Sequence, residues 1–218
     1  MRIIMKLIKL IMMKSILLII IVTFTFAQEK SFIQSAYEAI QKKDYKSALE
    51  YYTKAIEKQA NYAPSHYGRG LANSYLEKYS ESIQDFTEAL NLDRNYHEAY
   101  YARGLSNAKI GNNQAALNDF SKAIELNNTN ATYFYARANM YSFLGQFSNA
   151  LADYNKTIQL DPNFGLAYYG RAVVYKIEKN KELALKDFNK YLQMNGDRDG
   201  LQSEVERLVK EINEPEED

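Results

Sequence analysis

The sequence predicts an all-α fold, a right-handed α-solenoid of five 34-residue helix-turn-helix repeats plus a C-terminal capping helix. Two observations carry this prediction. Similar residue types recur at a spacing of 34 along most of the chain. The chain also has 19 Tyr and 10 Phe but only 9 Gly and 3 Pro, so side chains that fill helix interfaces outnumber turn residues.

The period is visible as five aligned columns of residues. In the second half of each unit, a small residue is followed four positions later by an aromatic residue and three further on by a third, mostly small residue. In the first half, a small residue follows an aromatic residue or His by four positions. Small residues let two antiparallel helices cross closely, and aromatic rings fill the space beside them. The columns are Ala48, Ser82, Ala116, Ala150 and Ala184; Tyr52, Phe86, Phe120, Tyr154 and Phe188; Ala55, Ala89, Ala123, Thr157 and Tyr191; Ala36, Gly70, Gly104, Ala138 and Ala172; and Phe32, His66, Tyr100, Phe134 and Tyr168.

Each unit is predicted to contain two helices joined by a short turn. In the third unit, residues of helical apolar period predict a first helix from His97 to Ile110 and a second from Asn113 to Leu126. The turns at Gly111 and Gly145 tolerate a left-handed helix end, whereas the equivalent turns accept it less readily. Those other turns are Lys43-Asp44, Glu77-Lys78 and Lys179-Asn180.

The end of the chain is predicted to close the stack. Residues from Asp199 to Asn213 place their apolar side chains on one stripe, which is typical of a helix that covers an open end. The acidic tail from Glu214 to Asp218 is expected to be disordered. The apolar stripe consists of Leu201, Val205, Leu208, Val209 and Ile212.

Residues 1–27 have the layout of an export signal. They contain four basic residues and no acidic residue, and end in a 13-residue apolar run, Ser15–Ala27. A helix of that length spans about 20 Å, less than the roughly 30 Å of a bilayer core, so we expect cleavage before Gln28. The alternative is an uncleaved anchor from Ile3 to Ala27, which three Lys residues would interrupt. Met13 offers a second possible start of translation.

Charge and cysteine content limit the function. Removing residues 1–27 leaves 23 basic and 27 acidic residues, a net charge of −4, which offers no basic field for nucleic acid. The chain has no Cys, which excludes disulfides, thiolate metal sites and a lipid anchor behind the signal. We expect an exported protein, periplasmic or secreted, with anchoring in the inner membrane as the alternative.

The columns resemble those of the tetratricopeptide repeat over Glu29 to Arg198. The family's usual Trp is absent, and its terminal Pro remains only as Pro162. The resemblance implies a scaffold that binds other proteins. The predicted segments are a signal peptide over 1–27, five repeats within 28–198 at 29–62, 63–96, 97–130, 131–164 and 165–198, and a capping helix with the acidic tail over 199–218.

The resemblance also implies a peptide-binding groove along one stripe of the first helices. Some family members bind acidic C-terminal peptides there through a clamp of Lys, Asn and Arg. Here only Asn139 and Lys176 are polar in that way, so the predicted groove is apolar and aromatic. The alternative is that its Tyr side chains only pack between helices. The predicted groove residues are Tyr67, Leu71, Tyr101, Leu105, Tyr135, Asn139, Tyr169 and Val173.

A second periodic set pairs Arg with Asp sixteen residues later. Planar Arg suits partly buried carboxylates, so these pairs are predicted to join the two helices of each unit. The alternative is that the Arg side chains bind an acidic partner. The pairs are Arg69 with Asp85, Arg103 with Asp119, Arg137 with Asp153, and Arg171 with Asp187.

The sequence does not predict catalysis. His66 falls in a packing column and His97 begins a helix, so neither belongs to a nucleophile or metal constellation. No phosphate loop or zinc-ligand spacing occurs, and no cofactor is expected. We therefore expect an exported scaffold that binds a peptide or helix of another protein. The alternative is a membrane-tethered assembly subunit of an envelope complex, held by the uncleaved anchor.

Overall fold

The computed structural model describes residues 12–16, 32–195 and 200–214. Within these residues the regular structure is helical and no strand occurs, which confirms the predicted all-α class. Of the predicted export signal only residues 12–16 are described, as a helical stretch with exposed side chains. The predicted cleavage site and residues 215–218 of the acidic tail lie outside the described residues.

The helices alternate along the chain between first and second members of a repeat. Each of the first helices α3, α5, α7 and α9 has 13 residues, and each second helix has 14 or 15. The described helices are α1 (32–41), α2 (Tyr45–Lys58), α3 (Ala63–Tyr75), α4 (Tyr79–Leu92), α5 (His97–Lys109), α6 (Asn113–Leu126), α7 (Ala131–Phe143), α8 (Phe147–Leu160), α9 (Gly165–Ile177), α10 (Lys181–Asn195) and α11 (Gln202–Asn213).

The turns inside the repeats share one left-handed residue. Gly111 has φ +79° and Gly145 has φ +70°. At the first of these turns, the N–H of Asn112 donates to the carbonyl of Asn107 and the N–H of Gly111 to that of Ala108, which is the Schellman pattern that ends a helix. The equivalent residues of the other repeats adopt the same conformation without being glycine: Lys43 (φ +57°), Glu77 (φ +60°) and Lys179 (φ +60°).

The structure divides into two compact units, residues 1–102 and 103–218, with the division inside α5. We call them the amino-terminal and carboxy-terminal units. Each has a core of small residues and aromatic rings. In the amino-terminal unit, Ala48 of α2 packs with Ala72 of α3. In the carboxy-terminal unit, Ala138 of α7 packs with Tyr154 of α8 and Ala167 of α9.

The last helix covers the end of the carboxy-terminal unit, as predicted. Val205, Leu208 and Ile212 of α11 are buried against a cluster that includes Phe188 and Tyr191 of α10. The helix begins at Gln202 rather than at the predicted Asp199, because Gly200 has φ +68° and Leu201 is the N-cap. None of the helices in the described residues combines the length and apolar composition needed to cross a membrane.

Candidate functional site

The predicted groove residues lie on the first helices of successive repeats. The four Tyr side chains, Leu71 and Val173 are half-buried, whereas Leu105 and Asn139 are exposed. The Tyr rings therefore pack between helices and also remain accessible. We call these residues the tyrosine stripe. Tyr67, Leu71 and Tyr101 belong to the amino-terminal unit, and Leu105, Tyr135, Asn139, Tyr169 and Val173 to the carboxy-terminal unit.

In the amino-terminal unit, Tyr67 packs against two other rings. Its centroid lies 4.8 Å from that of Tyr96 and 5.8 Å from that of Phe86, both in tilted geometry. Burial raises the pKa of Tyr96, and the neighbouring Tyr67 hydroxyl adds to the increase. The Tyr96 phenol therefore remains protonated at neutral pH and able to donate a hydrogen bond.

In the carboxy-terminal unit, two Tyr side chains of the stripe are held in the same way. The Tyr135 ring centroid lies 4.9 Å from that of Phe164, just before α9, and 6.2 Å from that of Tyr154. The Tyr169 centroid lies 5.8 Å from that of Tyr191 and 6.1 Å from that of Phe188. Rings supported on two sides lose little conformational entropy when a ligand covers them.

A hydrogen bond connects a buried tyrosine, Tyr154, to the exposed side-chain amide of Asn139 in the stripe. The hydroxyl of Tyr154, which is 2% exposed, donates to Oδ1 of Asn139 at 2.6 Å. Burial raises the pKa of Tyr154, and the nearby Tyr135 hydroxyl raises it further, so this donor stays neutral. Because Oδ1 accepts this bond, Nδ2 is the part of the Asn139 amide that can donate to a ligand.

The fit of Tyr154 depends on a glycine in the next repeat. A Cβ atom at Gly170 would lie 2.6 Å from Cζ and 2.7 Å from the hydroxyl oxygen of Tyr154. Gly68 has the same relation to Tyr52, whose ring a Cβ would also overlap. Sequence reasoning missed this pairing, although Gly follows Tyr by sixteen residues in both cases.

The cation beside the stripe, Lys176, is paired with a carboxylate. Lys176 Nζ lies 2.8 Å from Oε1 of Glu211 on α11, and this hydrogen bond lowers the pKa of the Glu211 carboxyl. On the same helix, Arg207 Nη2 lies 2.8 Å from Oε1 of Glu204. The charges beside the stripe are thus paired within the chain.

The four predicted Arg/Asp pairs all form hydrogen-bonded ion pairs between the two helices of a repeat. In the third, fourth and fifth repeats, Nε and Nη2 of the Arg each bond a different carboxylate oxygen, as Arg137 does to Asp153 at 2.7 and 2.9 Å. In the second repeat, both nitrogens of Arg69 reach Oδ1 of Asp85, at 2.9 and 2.6 Å. The corresponding distances are 3.0 and 2.7 Å for Arg103 with Asp119, and 2.6 and 2.8 Å for Arg171 with Asp187.

The surroundings of these pairs differ along the chain, which the sequence analysis did not foresee. Asp119 also accepts from Nδ2 of Asn107 at 3.1 Å, and Asp85 accepts from Asn73 at 2.9 Å. In the fourth repeat the ring of Tyr141 occupies the equivalent place, 5.8 Å from Cζ of Arg137. Arg137 Nη1 also donates to Ser121 of the preceding repeat at 3.1 Å, and Arg171 Nη1 donates to Asn155 of its preceding repeat at 2.5 Å.

The two histidines lie apart from the stripe. His66 is buried, with Nε2 2.8 Å from the carbonyl of Ala60, and Nδ1 of His97 lies 3.2 Å from Oε2 of Glu98. Over the part of the chain that the structure describes, His, Asp and Glu form no group of three or more that could hold a metal ion.

Comparisons with known proteins identify the repeat. Models described as tetratricopeptide repeat match residues 29–62, 67–131, 131–164 and 166–198. No match was found among curated proteins. The family matches confirm the recognition made from the sequence columns.

Solved structures share the fold. The MamA protein is 25% identical with a TM-score of 0.70, and the match covers 78% of this chain and 93% of that one. YrrB, described as a TPR protein with an unusual peptide-binding site, is 24% identical with a TM-score of 0.67, covering 81% and 90%. A tetratricopeptide repeat protein from Parabacteroides merdae ATCC 43184 is 21% identical with a TM-score of 0.73, covering 84% and 73%. The chain belongs to the tetratricopeptide repeat family.

Proposed function

We propose that this protein is an exported adaptor that holds an extended peptide or a helix of another protein on the tyrosine stripe of its carboxy-terminal unit. The tetratricopeptide fold suggests a protein-protein interaction scaffold, and YrrB carries a peptide-binding site on the same fold. The export part of the proposal is based on the sequence of residues 1–27. For the repeats we propose the boundaries predicted from the sequence. We propose no catalytic role.

The main support for this proposal is that the Tyr rings of the stripe are held by neighbouring rings and yet remain accessible to a ligand. Tyr135 and Tyr169 each pack against two other rings and are half-buried, so part of each side chain remains accessible. Binding energy at protein interfaces concentrates in such rigid aromatic side chains, whose hydroxyl can also hydrogen-bond to a ligand. Asn139 adds an oriented amide to the same surface.

The ion pairs serve a structural role in this proposal. Each Asp carboxylate is at least nine-tenths buried, and each Arg directs two nitrogens at it. An acidic ligand would have to compete with that contact. We therefore assign recognition to the stripe and rigidity to the ion pairs.

Affinity capture from the envelope fraction tests the proposal. The variant Tyr135→Ala/Tyr169→Ala should lose the proteins that the unmodified protein retains, because it removes both rings. Phe143→Ala is the matched control, since Phe143 is 75% exposed at the end of the same helix but outside the stripe. Thermal unfolding of each variant checks that the fold persists. Equal capture by folded protein and folded stripe variant would disprove a role for the stripe.

Mass spectrometry of the amino terminus separates this adaptor from the membrane-tethered alternative. A mature protein that begins at Gln28 would support the exported adaptor. An intact terminus recovered with membranes would instead favour the assembly subunit held by an uncleaved anchor.

A further inference from the structure

We propose that the segment bound across α7 and α9 is a proline-rich strand in the polyproline II conformation, with proline at every third position. This inference rests on the proposed function of the tyrosine stripe and specifies its ligand. Three features of the carboxy-terminal unit support it: hydrogen-bond chemistry, the spacing of the helices, and the packing of the rings.

The stripe across α7 and α9 offers hydrogen-bond donors, and none of its side chains is charged. Asn139, whose Oδ1 accepts from Tyr154, can donate through Nδ2, and Tyr169 carries a hydroxyl. A polyproline II strand makes no internal hydrogen bonds, so its carbonyl groups are all exposed as acceptors, and each proline removes an N–H. An uncharged surface rich in donors complements such a strand. Lys176, at the α9 end, is neutralised by Glu211.

The spacing of α7 and α9 favours a polyproline II strand over a β-strand or an α-helix. α7 and α9 are in contact, and packed helices lie about 8–10 Å apart. A polyproline II strand advances about 9.3 Å in the three residues after which it presents the same face. A β-strand covers a similar distance in three residues, but its side chains alternate, so the third residue would point away from the helices. An α-helix needs about six residues to cover that distance, and because six residues are not a whole number of turns, a different face would meet the second helix. Prolines three residues apart would therefore meet Tyr135 and Tyr169 in the same orientation.

The packing of the two rings matches what proline requires. Phe164 and Tyr154 support Tyr135, while Phe188 and Tyr191 support Tyr169. Proline rings bind fixed aromatic surfaces with small entropy loss, because the strand is already extended before binding. Burial also raises the pKa of Tyr169, with Glu204 adding to the increase, so its hydroxyl stays a donor.

Fluorescence anisotropy with labelled peptides tests the inference on the full chain. The probe is a peptide of about twelve residues with proline at every third position and alanine or serine elsewhere. One comparison peptide moves the prolines to every fourth position, and a second replaces them with alanine. We expect the first peptide to bind at least about tenfold more tightly than either comparison.

Variants of the protein locate the contact. Tyr135→Ala and Tyr169→Ala should each weaken binding of the proline peptide by at least about tenfold, and Tyr135→Phe by less, because it retains the ring. Phe143→Ala should leave the affinity unchanged. Binding that is equal for all three peptides, or that survives loss of both Tyr rings, would overturn the inference.

The two proposals can fail separately. If no proline peptide binds while envelope capture still depends on Tyr135 and Tyr169, the ligand class is wrong and the adaptor function stands. If capture is independent of the stripe, the adaptor proposal fails whatever the peptides do.

Discussion

Two junctions between consecutive repeats of the carboxy-terminal unit have different side chains at equivalent positions of their helices. Where α8 meets α9, Tyr154 is paired with Gly170, because a methyl group at Gly170 would overlap the phenol. At the equivalent positions of α6 and α7 the residues are Phe120 and Ala136, both buried. The amino-terminal unit repeats the contrast with Tyr52 and Gly68 against Phe86 and Ala102.

This contrast shows how a uniform repeat acquires a local polar group. Phe120 lies next to an alanine of the following repeat, which favours the helix, whereas Tyr154 lies next to a glycine, which weakens the helix by roughly 0.5–1 kcal/mol. In return the hydroxyl of Tyr154 reaches Asn139 on the stripe. Of the two junctions in this unit, only the one between α8 and α9 therefore has a tyrosine hydroxyl beneath the proposed ligand site.

The largest expected effect comes from the ion pairs of the third and fourth repeats. Asp119→Ala should lower the free energy of unfolding by about 3–5 kcal/mol, because it leaves Arg103 without its carboxylate and the buried Asn107 amide without an acceptor. Asp153→Ala should lower it by about 1 kcal/mol less, since Tyr141 stands at the position of Asn107 and no buried amide loses its acceptor.

Urea unfolding of the two variants measures this difference. Glu125→Ala is the control, because it removes an exposed partner of Lys122 and should change stability by less than about 1 kcal/mol. Equal losses for Asp119→Ala and Asp153→Ala would show that the neighbours of the pair contribute nothing.

The second prediction converts one junction into the other. Gly170→Ala should destabilise the protein by about 1–3 kcal/mol through overpacking against Tyr154. Adding Tyr154→Phe should recover only part of that loss, because it removes the hydroxyl oxygen 2.7 Å from the new Cβ but leaves the ring carbon Cζ at 2.6 Å. A double-mutant cycle from thermal unfolding gives the coupling. Additive effects would mean that the hydroxyl and the glycine are unrelated.

The sequence period was enough to predict the helical class, the repeats and the second helix of the third repeat, whose bounds agree with the structure. The 34-residue period also identified the Arg and Asp residues that pair, since the Asp follows the Arg by sixteen residues in each of the four repeats. The bond from Tyr154 to Asn139 was not predicted, because it depends on which faces meet once two helices dock. Asn107 and Lys176 were missed as structural partners for the same reason.

The beginning of α11 shows a different limit. Its apolar stripe was correctly recognised, because Val205, Leu208 and Ile212 have helical spacing and are buried. Its first residue was wrong by three positions. Periodicity reports where apolar side chains point, whereas the left-handed Gly200 determines where the backbone begins to coil.

The smallest expected effects compare the turns of the fourth and fifth repeats. Gly145→Ala should lower the free energy of unfolding by about 1 kcal/mol, from backbone strain alone, because a Cβ there would meet no atom within 4 Å. Lys179→Gly should raise it by up to about 0.5 kcal/mol, since glycine removes the strain of φ +60° but gains entropy in the unfolded chain. Thermal unfolding of both variants checks the signs. A stabilising Gly145→Ala would mean that the turn does not need its left-handed residue, and that the shared backbone arrangement of the repeats is set by helix packing alone.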